Sequence, residues 1–245
     1  MSGSVPPLRA IGLTHGLLVR QLVTKGRVLA VLALGVLVGV VSAAVGASDE
    51  VDDPVEAGVR VMADLGFTLL VPIVALVFAA AAFGDTREDG TLVYLWLRPM
   101  DRWPVVIGAW LAAITVSLPL TVVPLAISAV LADAGDALVE ATILAAVIGV
   151  VTYSALFLLL GLLPKNPIVW GIGYIVVWEG IVAAFGSFAA KLAIRGYTRS
   201  IITSRTDIDL DLGDLSLAAG VAIPLIVAAV ALALASTRLG RLDVA

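Results

Sequence analysis

One carboxylate stands where carboxylates are rare. Glu179 lies inside Ile168–Ala190, a run otherwise free of charge and mostly apolar. In hydrocarbon an ionisable side chain costs about 2.5–3.5 kcal/mol on insertion scales, so it faces protein or water rather than lipid. Two kinds of role fit it: a gate, proton-linked group or substrate contact, or a hydrogen-bond anchor between segments. Few other residues offer chemistry. There is no Cys and a single His, His15, which excludes disulfides, thiolate centres and metal sites built on several imidazoles. No His-Glu-x-x-His, no Gly-x-Ser-x-Gly and no Gly-Lys dipeptide occurs. The chain therefore lacks the zinc-protease, nucleophile-elbow and phosphate-loop signatures, and ATP hydrolysis within it is not expected. Asp207-x-Asp209-x-Asp211-x-Gly213-Asp214 is similar to a calcium loop, but its Gly falls at the seventh position and Ala218 replaces the twelfth ligand. It reads as a solvated turn. No catalytic, cofactor or metal residue is assigned.

The elements that position Glu179 follow from hydropathy. Of the 245 residues 61% are hydrophobic and 14% charged, against about 45–50% and roughly 25% in a soluble domain. This excess excludes a soluble enzyme, a disordered chain and a nucleic-acid-binding domain. A helix needs about 20 apolar residues to cross a bilayer. Six stretches qualify, at about 28–47, 65–83, 104–132, 141–163, 168–190 and 216–237. Every backbone polar group must be satisfied within such a segment, so they are helices. The fold expected is an all-α polytopic membrane protein, one domain over 1–245, without internal repeats. Pro119 or Pro124 is a possible bend in the long third span.

Basic residues set the orientation. Arg9, Arg20, Lys25 and Arg27 precede the first span, and Asp49, Glu50, Asp52, Asp53 and Glu56 follow it. Ten of the fifteen Lys and Arg fall on the inner side when both termini are cytoplasmic. The loop at 191–215 breaks the trend, with Lys191, Arg195, Arg199 and Arg205 on the outer side. The first span ends in small residues, Ser42–Ala47, but a polar lead of this length is long for a signal peptide, so it reads as an uncleaved helix. Arg outnumbers Lys, as in GC-rich prokaryotic genomes.

Residues 8–27 read as an amphipathic interfacial helix. Leu8, Ile11, Leu18, Val19 and Leu22 fall on one side and Arg9, Arg20 and Arg27 on the other, with Leu13 and Leu17 spoiling the pattern. His15 projects from the apolar side as a packing residue. Gly35-x-x-x-Gly39 in the first span permits close helix approach. Between the second and third spans, 84–103 carries acids, a Gly-Thr pair, an apolar turn and Arg-Pro. It reads as a short surface helix started by Asp89 or Thr91 and ended by Pro99.

Glu88-Asp89-Gly90-Thr91-Leu92, then Leu97-Arg98-Pro99-Met100-Asp101-Arg102 and Val105-Val106-Ile107-Gly108, resembles the ABC-2 type transporter permeases. Trp178-Glu179-Gly180 and Ile194-Arg195-Gly196-Tyr197 resemble a subset of them. Trp103-Pro104 departs from the pattern in bulk. The resemblance implies a type V exporter-like fold: six spans, cytoplasmic termini, an interfacial N-terminal helix, and short re-entrant helices in the fifth loop. It implies a membrane subunit of an ATP-binding-cassette exporter in a prokaryotic cytoplasmic membrane, a homodimer or a pair with a paralogue. ATP and Mg would bind the partner ATPase subunits, with no cofactor in this chain and no nucleic-acid partner. The 84–103 loop would be the coupling element, Glu88 and Arg102 making polar docking contacts and Gly90, Thr91 and Pro99 setting its shape. Gly35 and Gly39 are then candidates for the dimer interface. Glu179 becomes an anchor to the fifth-loop element, with Arg195 or Tyr197 as partner. The alternatives are an ATP-independent secondary transporter or channel, and a non-transporting scaffold.

Overall fold

The computed structural model describes residues 5–48, 53–88, 101–163, 166–181, 191–210 and 215–241, the side chains of 86–88 excepted. Among these residues there is no strand. The helices are α1 (Pro7–Leu22), α2 (Lys25–Gly46), α3 (Pro54–Val61), α4 (Val71–Glu88), α5 (Arg102–Leu131), α6 (Asp136–Gly161), α7 (Pro167–Gly173), α8 (Ile194–Thr206) and α9 (Leu217–Arg241). Two π-helical segments interrupt the series: Met62–Leu70 joins α3 to α4, and Tyr174–Ile181 continues α7.

Five rods are long and apolar enough to cross a bilayer: α2, the continuous Pro54–Asp85 helix, α5, α6 and α9. Their outer surfaces are apolar too. Val36 and Val40 on α2, Val123 and Ile127 on α5, and Ile226 and Val230 on α9 are all exposed. A belt this continuous has no place in water; the chain is a multi-pass membrane protein. The expected span over 168–190 is described only to Ile181. Its seven residues of α7 and eight of π-helix reach roughly 20 Å, short of the bilayer's ~30 Å hydrocarbon core.

α6 is the hub, packed against α4, α5, α8 and α9. Phe67, Phe78, Phe83, Tyr153 and Phe157 are fully buried around it. Trp110 Nε1 donates to Val151 O at 3.2 Å and fixes α5 on α6. α5 runs on through both Pro119 and Pro124 without a break in the helix.

Several boundaries differ from the sequence reading, each for a local reason. The N-terminal helix stops at Leu22, not residue 27, because Thr24 caps a new helix: its hydroxyl accepts from the Arg27 N–H at 3.5 Å. Arg27 thus leaves the basic face of α1 and donates to both oxygens of Asp85, at 2.9 and 2.7 Å. The second span starts at Pro54, eleven residues before Leu65, because Asp53 caps it by accepting from the Glu56 N–H at 3.0 Å. The buried face of α1 is Ala10, Thr14, Leu18 and Leu22, while Leu8 is 84% exposed. Ala10 and Thr14 share that face with Leu18 and Leu22 because α1 lies close on α5 at Gly108. A Cβ there would stand 2.8 Å from both Ile11 O and Thr14 Cβ.

Gly108→Val therefore displaces α1. The expected result is faster protease cleavage within residues 5–22 in membranes, with the apolar rods still protected. Unchanged cleavage would refute the close approach.

Candidate functional site

α8 is the anomaly of the bundle. Its sequence, Ile194-Arg195-Gly196-Tyr197-Thr198-Arg199-Ser200-Ile201-Ile202, is polar, yet each of these residues is buried. It packs on α6, α9 and the first π-helical segment. Thr198 approaches the Cβ position of Gly149 in the middle of α6, and Gly220 of α9 abuts Tyr197 O. A helix that begins among packed side chains has N–H groups with no water to take them.

Glu179 takes them. Its Oε1 accepts from the Ile194 N–H at 3.0 Å and its Oε2 from the Arg195 N–H at 3.1 Å. The Tyr174 hydroxyl donates to Oε1 at 2.8 Å. The side chain is 1% exposed. A carboxylate at a helix N-terminus is favoured twice, by N–H donors and by the helix dipole. Ile194 and Arg195 are thus tied to a residue fifteen and sixteen positions earlier. The guanidinium of Arg195 turns instead to Gly180 O at 3.2 Å. The Tyr197 hydroxyl donates to Lys191 O at 2.5 Å, so Tyr197 steadies the approach to α8 without touching Glu179.

A second charge pair lies one turn along. Arg199 Nη2 donates to Asp64 Oδ1 at 2.5 Å and to Thr68 Oγ1 at 3.4 Å. Arg199 is buried and Asp64 largely exposed. Two of the four basic residues that spoil the charge rule in the 191–215 loop are therefore inside the bundle, each with acceptors supplied by another segment. Asp64, Arg199 and Tyr174 were not singled out from the sequence. The surplus of Arg in that loop was their only signal.

Both π-helical segments serve this cluster. One carries Asp64 and Thr68, the other Tyr174 and Glu179. The wider π turn brings residues five apart together: Tyr174 meets Glu179, and the Thr68 hydroxyl donates to Ala63 O at 3.0 Å. π-helical turns occur often at functional sites.

The remaining sequence candidates lie elsewhere. Glu88 is the last residue of α4 and Arg102 the first of α5, flanking the 84–103 loop. Gly90, Thr91 and Pro99, with the expected surface helix, lie outside the described residues. Gly35 and Gly39 face α5 of the same chain: Pro124 Cβ is 2.8 Å from a Cβ at Gly35, and Ser128 Oγ is 3.5 Å from one at Gly39. They floor an apolar groove of about 420 Å³ between α2 and α5. His15 Nε2 lies 3.0 Å from Thr115 Oγ1, a packing contact of α1 on α5. Among the described residues no cluster of three or more His, Asp or Glu could hold a metal ion.

Glu179→Ala removes the acceptor for two buried N–H groups and the Tyr174 hydroxyl, and should cost about 3–5 kcal/mol, as when one partner of a buried charged contact is deleted. Glu179→Gln keeps one acceptor oxygen and should cost about 1–3 kcal/mol. Denaturant unfolding in detergent, followed by Trp fluorescence, measures both; equal losses would contradict the capping role. No protein-family model, curated protein or solved structure matches the chain.

Proposed function

We propose that the chain is the membrane-spanning subunit of an ATP-binding-cassette transporter of the ABC-2 type, an exporter powered by separate ATPase subunits. The observation that carries this reading is α8, a short polar helix buried beside Glu179 between the fifth apolar segment and the last rod. The resemblance in sequence implies re-entrant helices at that place. Two further features support it. α1 precedes the first rod and lies along α5, and the 84–103 loop leaves α4 and enters α5 at the end of the bundle where Arg27 meets Asp85.

In this reading both termini and the 84–103 loop are cytoplasmic, and the segment from Tyr174 to Thr206 completes a sixth, broken span. The loop docks in a groove of the ATPase through Glu88 and Arg102, with Gly90, Thr91 and Pro99 giving it shape. Two copies, or this chain and a paralogue, form the translocation path in a prokaryotic cytoplasmic membrane. ATP and Mg belong to the partner. The chain has no Gly-Lys dipeptide and hence no phosphate-loop Lys.

One observation favours a second reading. An interrupted apolar helix with a buried acid is also the mark of secondary transporters. The energy source separates the two. Tagged chain purified from native membranes should bring down an ATPase in near-equal amount, and Glu88→Ala with Arg102→Ala should lower that recovery several-fold while leaving the membrane subunit folded. Transport that persists without any nucleotide or ATPase would move the assignment to the secondary transporter. A Cys at Leu95 that impermeant thiol reagents reach only from outside intact cells would refute both the orientation and the docking role.

A further inference from the structure

The contact between α2 and α5 leaves a trench in the apolar outer surface. Gly35 and Gly39 form its floor with Pro124 and Ser128, and it encloses about 420 Å³. Each wall is a row of side chains four residues apart, neighbours along a helix surface: Val36 and Val40 on α2, Val123 and Ile127 on α5. All four are more than half exposed. The helices cannot close the trench by moving together. Gly35 already lies so near Pro124 that a Cβ on it would stand 2.8 Å from Pro124 Cβ. Nor does the lining offer a polar occupant a bond, since its one hydroxyl, on Ser128, donates to Pro124 O at 2.8 Å.

Length, depth and charge decide what fills it. The trench runs from Leu32 to Ala43 on α2, about 16 Å at 1.5 Å per residue. That is close to half of the ~30 Å hydrocarbon core, the depth of one leaflet. Ala43 and Leu131 line the end where α2 and α5 both stop, at Gly46 and Leu131. The trench thus opens toward the headgroups of the leaflet on the α3 side. Its surroundings there are acidic. Asp133 and Asp136 are exposed just beyond α5, and the sequence that continues from α2, residues 47–59, holds five acids and no Lys or Arg. Arg60, next in line, is paired with Glu56. Such an end repels an anionic headgroup and attracts an amine. A helix from a second copy fits the trench less well. Close helix contact in a membrane needs small residues at the surface, and here they lie at the bottom, behind branched rims. A single acyl chain reaches the bottom and restores the dispersion contacts that an empty trench forfeits.

We infer that the α2–α5 trench binds one acyl chain of a phospholipid with an amine headgroup, drawn from the leaflet on the α3 side. The site depends neither on the energy source nor on which face of the membrane is cytoplasmic.

Photo-crosslinking of the unmodified full-length chain in phosphatidylcholine vesicles tests it. The probe is phosphatidylethanolamine with a diazirine in one acyl chain. α9 supplies the control, because Ile226 is as exposed as Val40, at 60% against 61%, and borders no part of the trench. Adducts on the two trench walls should outnumber those at Ile226 and Val230 several-fold. The matching phosphatidylglycerol probe should label the walls several-fold less. Gly39→Leu projects a side chain from the floor and should lower wall adducts to the α9 level. Its first carbon is accommodated, with Ser128 Oγ 3.5 Å away. Equal labelling of the walls and α9 means bulk lipid only and overturns the site. Equal labelling by the two probes overturns the headgroup assignment. The chain has no native Cys, so a disulfide between copies can be sought at Val40→Cys. Its forming faster there than at Val230→Cys would put a second copy in the trench and overturn the proposal. The map of the unmodified chain stands even if a variant misfolds.

Discussion

A helix that begins inside a bundle of apolar helices must find acceptors for its first N–H groups, and here they come from Glu179. The requirement is severe because no bulk water competes and an unmet donor keeps its full desolvation cost. Once the carboxylate is fixed on Ile194 and Arg195, much of the neighbourhood follows. Tyr174 must turn to the same oxygen, which the five-residue spacing of a π turn allows. Arg195 is held close enough to reach Gly180 O, and Arg199, one turn on, faces Asp64 across α8. Each buried charge of the cluster thus has a polar partner: N–H groups and a hydroxyl for Glu179, a carbonyl for Arg195 and the partly exposed Asp64 for Arg199.

The hub position of α6 serves the same end. A polar helix is tolerated in a membrane bundle only where neighbours present small or polar surfaces to it, and α6 does so with Thr142, Gly149 and Tyr153 on one stripe. Its other sides are conventional, with Phe157, Leu158 and Val150 filling the core. The chain thus separates two surfaces. α2, α5 and α9 turn large apolar side chains outward, whereas the buried charged residues among those described, Glu179, Arg195 and Arg199, collect where α6, α8 and the π-helical segments meet.

Five of the six expected spans were legible because uncharged runs of about 20 residues have few other solutions, and Glu179 was legible as the one acid within an apolar run. The face of α1 was legible in part: Leu18 and Leu22 are buried as expected, while Leu8 is exposed and Ala10 and Thr14 are buried in its place. Hydrophobic size ranks faces correctly in water, but beside lipid a large side chain such as Leu8 loses nothing by pointing outward, and close packing favours Ala10 and Thr14 against Gly108. The partner of Glu179 was hidden for another reason: it is largely backbone, which sequence patterns of side chains do not display. Asp64 and Arg199 lie 135 positions apart, too distant for any spacing rule. Thr24 was lost among basic residues, although its hydroxyl divides α1 from α2.

The contacts at the Arg27 end tie several helices together. α1 rests on α5 through Gly108 and His15, Arg27 at the start of α2 grips Asp85 near the end of α4, and α4 and α5 flank the 84–103 loop. α1, α2, α4 and α5 are thus each held at this end to one of the others. α8 is held differently, through Glu179 and Asp64 on the two π-helical segments. Both sets of contacts meet on α6, which packs against α4, α5 and α8 alike.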